Sequence, residues 1–300
     1  MTGTMATDLA GDAIRADAVS AAVAAADAAA IAAGVFIRSL NGMSELDAVC
    51  ELYERIWGFD GGHSPVSSDL LRAMSRAGGY VAGAFEGDEL VGACVGFFGP
   101  PAEFGLHSHI AGVSPTTRGR SVGFAMKVHQ RAWAMARGIT QISWTYDPLV
   151  GRNAYFNIVK LGARPAEYLT NFYGPMNDAL NGADDTDRLL VTWQLEDPRV
   201  AAACIGIPSA VDLAAERAGG AQTLLDVSAS DEPIRYDVTS STVLVAVPRD
   251  IEGLRAKDPA RAARWRVAVR ECLGGLLEQG AHVRGFDRSD YYIVDRGEPS

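Results

Sequence analysis

Two histidines, His107 and His109, stand two residues apart in the apolar run "LHSHIAGV". On a strand that spacing puts both side chains on one face. A neutral imidazole is the side chain best suited to accept a proton near pH 7, so the pair reads as a general base. The competing reading is a pair of packed strand residues. Glu103, just before the run, is the reserve base. A few residues on, "GVSPTTRGRSVGFAMK" sets Arg118, Gly119, Arg120, Ser121, Val122 and Gly123 at the mouth of a helix-like segment. A glycine-bearing turn that opens a helix offers backbone N–H groups and a positive dipole end to an anion, and guanidinium groups add charge-assisted contacts. Asn153 and Asn157, four apart, share one face of a short helix.

Other reactive residues are less promising. His129 falls on the apolar stripe Val122, Met126, His129, Trp133 and reads as a packed helix residue. His63 and His282 lie in loops without partners, and no His/Cys/carboxylate group has metal spacing. Cys50, Cys94, Cys204 and Cys272 are scattered and read as reduced thiols. Asp147-Pro148 reads as a turn and helix-start device. Trp265 reads as a buried anchor, with Arg266 and Arg270 on a solvated face rather than holding a substrate carboxylate. The loop lacks Gly-Lys-Ser/Thr, which excludes a nucleotide-hydrolysing phosphate loop, and it lacks the dinucleotide fingerprint.

These residues need a scaffold. Val35 to Leu40 predicts a strand, and "MSELDAVCELYERIWG" a helix started by Ser44 with Asp47 in a capping box. "SSDLLRAMSRAGG" predicts a second helix, and "YVAGAFEGDELVGACVGFFG" a hairpin turning at Glu86-Gly87-Asp88. After "HSHIAGV", Ser121 to Arg137 predicts a helix, "ITQISWTY" a strand, "GRNAYFNIVKLG" a short helix, and "AEYLTNFYG" and "RLLVTWQL" two more strands. The order gives an α/β fold with a mixed sheet over residues 35–196. After Glu196-Asp197-Pro198 the composition changes, which places a smaller α/β domain at 197–300. There "STVLVAVP" predicts a strand, Asp258-Pro259 starts a long helix, and "AHVRGF" with "YYIV" closes a hairpin; residues 199–240 give no clear pattern.

Residues 1–34 form an Ala-rich N-terminal segment, read as an accessory helix too short and too weakly apolar to span a membrane. No targeting signal is recognised, so a cytoplasmic protein is expected. With 27 Lys and Arg against 37 Asp and Glu, the net charge of −10 argues against nucleic acid.

With these motifs in view, "GVSPTTRGRSVGFAMK" resembles the pyrophosphate loop of the GNAT superfamily of acyl-CoA N-acyltransferases. In the family's Gln/Arg-x-x-Gly-x-Gly/Ala pattern the register is Arg118-x-x-Ser121-x-Gly123, with Ser121 in a glycine place; Arg120-x-x-Gly123-x-Ala125 matches fully but sits two residues late. The resemblance implies a GNAT-like fold with acetyl-CoA or another acyl-CoA as co-substrate. The backbone of Arg118 to Gly123 would hold the pyrophosphate. The N–H near Val113, where the strand bulges, would face the oxyanion, and His109 or His107 would be the base. Asn153 and Asn157 would meet the pantetheine arm or the thiol end.

The acceptor would be an amine on a small molecule or amino acid, in a pocket built from the first two helices and the Phe97-Phe98 hairpin end, with a contribution from the second domain left open. No nucleic acid or membrane partner is expected, and homodimerisation is open. "LHSHIAGV", "WTYDPL", "NAYFNIVKLGA", "YGPM" and "DRLLVTWQL" resemble, in that order, a subgroup of GNAT acyltransferases with a C-terminal extension, for which N-acylation such as N-succinylation of amino acids is one suggested role. One departure stands out. Many family members place a tyrosine, as leaving-group acid, four residues before the Leu-Gly glycine; counted back from Gly162, that place holds Ile158. Tyr146 and Tyr155 are open substitutes. A catalytically inactive acyl-CoA-binding sensor is the alternative.

Overall fold

The computed structural model describes residues 2–58, 65–100, 105–174 and 184–297. Glu103 and His63, and most of the loop between the last two strands of the 35–196 segment, lie outside the described residues. In chain order the elements begin with α1 (Thr2–Ala33), β1 (Phe36–Ser39), α2 (Met43–Trp57), α3 (Ser68–Arg76), β2 (Tyr80–Glu86), β3 (Glu89–Phe98) and β4 (Gly105–Val113). They continue with α4 (Val122–Met135), β5 (Gln141–Tyr146), α5 (Gly151–Ala154), β6 (Arg164–Leu169), β7 (Arg188–Gln194), α6 (Pro198–Cys204) and α7 (Leu213–Ala218). The chain closes with β8 (Gln222–Val227), β9 (Pro233–Arg235), β10 (Thr242–Ala246), α8 (Ile251–Lys257), α9 (Pro259–Val269), α10 (Gly275–Glu278), β11 (His282–Asp287) and β12 (Tyr291–Asp295).

The chain divides into two compact units, residues 1–142 with 194–206, and residues 143–193 with 207–300. In the first, β1, β2, β3 and β4 pair in sequence as an antiparallel meander. The hairpin turn falls at Gly87, whose φ of 57° a glycine adopts without strain. Leu46, Val49, Leu52 and Tyr53 of α2 and Leu71 of α3 pack on Val81, Ala93 and Val95. A Cβ on Gly112 would lie 2.7 Å from the Trp57 ring, so glycine there lets α2 approach β4 closely. The start of α2 differs from expectation. Gly42, not Ser44, is the cap, and Glu45, not Asp47, accepts from the Gly42 N–H at 3.0 Å and the Asn41 N–H at 3.2 Å.

The Ala-rich stretch also differs. It is one helix of 32 residues, and its Ala13–Ala33 part is by length and composition alone apolar enough to cross a membrane, with mean hydropathy 1.5. Ala22, Ala25, Ala26 and Ala33 are buried, and α1 packs along α4. Small side chains let the two helices approach closely.

In the second unit the strands lie in the order β5-β7-β6, with β6 antiparallel to β7. A second, five-stranded sheet runs β11-β12-β10-β8-β9. It is mixed: β10 is parallel to β8 and antiparallel to β12. Asp258 caps α9 by accepting from the Arg261 N–H at 3.0 Å, as expected, and the helix continues through a π-helical turn at 270–274 into α10. The 199–240 stretch, unreadable from sequence, supplies α6, α7, β8 and β9; their short lengths leave no periodicity to detect. "GRNAYFNIVKLG" is one α-helical turn followed by a π-helix over Tyr155–Lys160 rather than a plain helix.

Candidate functional site

The loop between β4 and α4 is built for exposed backbone donors. A short 3-10 turn at Pro115–Thr117 follows β4, pinned where the Thr117 hydroxyl donates to Ser114 O at 3.0 Å. Gly119 (φ 85°) and Ser121 (φ 62°) are both left-handed. For Ser121 this conformation is costly, and its side chain makes no capping bond to α4. The N–H groups of Val122, Gly123 and Phe124 precede the first intrahelical bond, from Ala125 to Ser121 O. They are therefore orphan donors at the positive end of the helix dipole. A Cβ on Gly119 would meet nothing within 4 Å, so the loop faces open space there. A Cβ on Gly123 would lie 3.6 Å from Val113 Cγ2, so the helix start rests on the end of β4. A phosphate group fits such donors.

The two arginines part company. Arg118 is exposed, and its guanidinium has no hydrogen bond or ion pair recorded among the described residues. Arg120 instead donates to both oxygens of Glu86, at 2.8 and 2.7 Å, and to Ala33 O at 3.2 Å at the end of α1. Its backbone N–H bonds Thr117 O.

The histidines are brought together as expected. Their ring centroids lie 6.1 Å apart, with Phe97 at 5.2 Å from His107 and 5.8 Å from His109. The register explains how. Val95 pairs with Ile110 and Gly96 with Ser108, so His109 is the extra residue of a β-bulge. Ile110 joins the core under α2, while Ser108 faces Lys127 of α4. The bulge reverses the alternation, and Val113 ends up on the α4 side of the sheet, against Gly123. The recorded shift lies at His109, and Val113 pairs regularly with Gly92 on the β3 side. Burial, then the charges of His109 and Lys127, pulls the His107 imidazole below its usual range; burial does the same for His109. Both are therefore neutral at pH 7, the form that accepts a proton.

Comparison with known proteins matches residues 46–156 to the acetyltransferase (GNAT) family model. The chain carries a GNAT-type acetyltransferase fold followed by a further α/β domain. No curated protein matches the sequence. Among solved structures, Mycobacterium smegmatis RimJ in complex with CoA-disulfide is similar at 20% identity and TM-score 0.46, over 58% of this chain and 88% of that one. YncA of Salmonella typhimurium, a putative acetyltransferase with its cofactor acetyl-CoA, is similar at 15% identity and TM-score 0.43, over 55% and 95%. The ribosomal-protein-alanine N-acetyltransferase of Brucella melitensis is similar at 16% and 0.43, over 53% and 99%.

Residues of the GNAT-type fold that belong to the second unit behave differently from those of the loop. Asn153 is half-buried in the first turn of α5. Asn157 is buried, and its amide oxygen accepts from Trp144 Nε1 at 3.0 Å, so part of its capacity is spent holding β5. Ile158, in the place of the family's tyrosine, is buried. Tyr146 is buried, bonds Tyr292 at 3.3 Å, and has its phenol raised by burial; Tyr155 accepts from Arg288 Nε at 3.0 Å.

Sequence reasoning did not foresee the charge network of this unit. Arg266 is 1% exposed, not solvated, and donates to both oxygens of Asp147 at 2.8 and 2.9 Å and to Asp184 at 2.9 Å. Arg255 bridges the same two carboxylates. Arg270 donates to Asp187 at 2.9 and 2.8 Å, and Tyr168 donates to it at 2.8 Å. Burial alone would raise the Asp147 carboxyl, but Arg266 and Arg255 hold it well below the usual carboxylate range. Both arginines named at sequence level are thus taken up by carboxylates of this chain.

In the first unit, His129 is half-buried and bonds the Tyr80 hydroxyl at 2.8 Å, as a packed helix residue should. Lys127 was also missed. It is buried between α4 and β4, and its only sequence signal was a lysine beside the apolar stripe.

Proposed function

We propose that the chain is an acyl-CoA-dependent N-acyltransferase, moving an acetyl or another short acyl group, succinyl included, to the amine of a small molecule or amino acid. The observation that carries this reading is the mouth of α4: orphan N–H groups, an uncapped left-handed Ser121 and an uncommitted Arg118. The α4 N–H groups of Val122 and Gly123 would bind the pyrophosphate of acyl-CoA, with the Arg118 guanidinium adding charge. Acyl-CoA, when bound, supplies the activated thioester. The backbone N–H of Val113 would polarise its carbonyl. His109, exposed at the bulge, would take the proton of the attacking amine, with His107 beside it. An α-amine, with pKa about 7.7–8.0, needs less help from such a base than a lysine side chain at about 10.4. With Ile158 in the tyrosine place the thiolate would leave without a dedicated acid, which a thiol of pKa about 8.5 allows.

The exposed Phe97 beside the histidines would form one wall of the acceptor site, while Phe98 stacks on Trp133 of α4. The acidic chain suits an amine acceptor, and cytoplasmic location is part of the same reading. The second reading is an acyl-CoA-binding module without turnover, favoured by Ile158. Calorimetry with CoA and acetyl-CoA tests the shared part. Both should bind the wild type, and Arg118→Ala should weaken both about tenfold, the loss of one charge-assisted contact. Absence of binding would overturn both readings.

A further inference from the structure

The second unit holds a cavity of about 180 Å³ that acyl transfer leaves unused. Its floor is apolar, with Leu224 of β8, Leu276 of α10 and Cys272, whose thiol burial raises and keeps neutral. Its rim is charged. Arg235 ends β9, Asp237 follows two residues on, Glu271 comes from the π-helical turn and Arg296 follows β12. Such turns are rare and concentrate at functional sites. This one sets Arg270 on Asp187 and carries Glu271 and Cys272 to the cavity. Two glycines come next. Gly274 makes room for Tyr168, which lies 3.3 Å from where a Cβ would stand. Gly275 lines the cavity, and a Cβ there would meet nothing within 4 Å. Its φ of −61° is open to any residue, and glycine weakens a helix relative to alanine. Neither packing nor backbone conformation asks for that glycine; its effect is to leave the cavity open.

The charged groups at the rim are poorly committed. Four other arginines of this unit are held on carboxylates, Arg264 at 2.6 Å, Arg266 at 2.8 Å, Arg270 at 2.7 Å and Arg284 at 2.7 Å. Among the described residues Arg235 reaches only Glu271, at 3.7 Å, and the Arg296 guanidinium only Val238 O, at 3.4 Å. Among the same residues the Asp237 carboxylate makes no hydrogen bond or ion pair. We propose that this cavity binds a free α-amino acid with an aliphatic side chain: its carboxylate on Arg235 and Arg296, its ammonium on Asp237 and Glu271, its side chain over Leu224 and Leu276. A lone anion would face the two carboxylates and a lone cation the two guanidiniums, whereas a zwitterion meets both signs. The size agrees. A dry cavity of about 150 Å³ holds a benzene ring, so this one takes a ligand about the size of valine or leucine. The site stands apart from acyl transfer: all its residues belong to the second unit, and none has a part in that chemistry.

The test is calorimetry on the full chain without CoA, with L-leucine as the probe. Leucinamide, which lacks the carboxylate, and N-acetyl-leucine, which lacks the ammonium, are the controls. L-leucine should bind, and both controls should bind at least about tenfold more weakly. Arg296→Gln and Asp237→Asn should each weaken L-leucine about tenfold with an unchanged melting temperature, since both side chains are exposed. Gly275→Leu should fill the cavity and abolish binding without lowering the melting temperature. No binding of L-leucine, or equal binding of either control, would overturn the proposal. Binding that survives the variants places leucine elsewhere and overturns it too. Should Gly275→Leu not fold, the Arg296 and Asp237 variants decide alone. Leucine binding that is lost in Arg296→Gln, in a chain that releases no thiol from any acyl-CoA, keeps this site and refutes acyl transfer. Thiol release without leucine binding does the reverse.

Discussion

Arg120 grips Glu86 through two hydrogen bonds, of 2.8 and 2.7 Å, and with the same guanidinium closes the carbonyl end of α1 at Ala33. The arginine that completes the alternative loop register is thereby a structural tie, and Arg118 is the one left to a ligand. The two substitutions should separate. Arg118→Ala should weaken CoA about tenfold with an unchanged melting temperature. Arg120→Ala should lower the melting temperature slightly and leave CoA affinity within about twofold, because exposed pairs contribute little. Calorimetry and thermal denaturation read the two effects, and equal losses of affinity would reject the division.

Ser121 stands at φ 62° where the family pattern has glycine. Ser121→Gly should therefore stabilise the chain by up to about 1 kcal/mol, since glycine adopts that conformation freely. Ser121→Val should destabilise it by more, because a β-branched side chain crowds the left-handed region. CoA affinity should survive the glycine and fall with the valine. Denaturant melts and calorimetry on both variants decide this, and a glycine variant less stable than wild type would contradict the strain argument.

His109→Ala should lower kcat by about 10²-fold or more while CoA binding is retained. His107→Ala should cost less, because His107 is the half-buried member of the pair. Both imidazoles are depressed by burial, so the acid limb of kcat/KM should lie below the ordinary histidine value of about 6.5. A limb above that value, or full activity in His109→Ala, would remove His109 as the base.

The Asp147–Arg266 pair is buried on both sides, so breaking it leaves an uncompensated charge. Arg266→Met should cost about 3–5 kcal/mol, and Arg266→Met with Asp147→Leu much less. The pH dependence follows from the depressed carboxyls of Asp147 and Asp187. Their contribution is fully present above the unfolded carboxylate value of about 3.9 and is lost as pH falls through the lower folded values. The depressed imidazoles of His107 and His109 act in the same direction below about pH 6.5. Stability should fall from near pH 6.5 and then steeply below pH 4, and a denaturant series across pH 2–8 checks both steps.

The elements that hold the loop were legible because their signals are local. The β2–β3 hairpin shows alternation around Glu86-Gly87-Asp88, and the β4–loop–α4 passage shows a turn followed by helical spacing. What escaped was set at long range. Arg266 finds Asp147 across 119 residues of sequence, and no spacing rule links them. Lys127 is buried because α1 covers one side of α4 and the sheet the other, so α4 does not keep one solvated face. The bulge at His109 depends on its pairing with β3, which the sequence of β4 alone does not encode.

Transfer of an acyl group from CoA to an amine is measured most directly as CoA thiol release by the full chain. The assay would run acetyl-, succinyl- and other short acyl-CoAs against a panel of amino acids and small amines at pH 7–8. Amine-dependent thiol release is the expected result, lost in His109→Ala and weakened through KM in Arg118→Ala. CoA binding with no thiol release from any amine would contradict it and leave the chain an acyl-CoA-binding module.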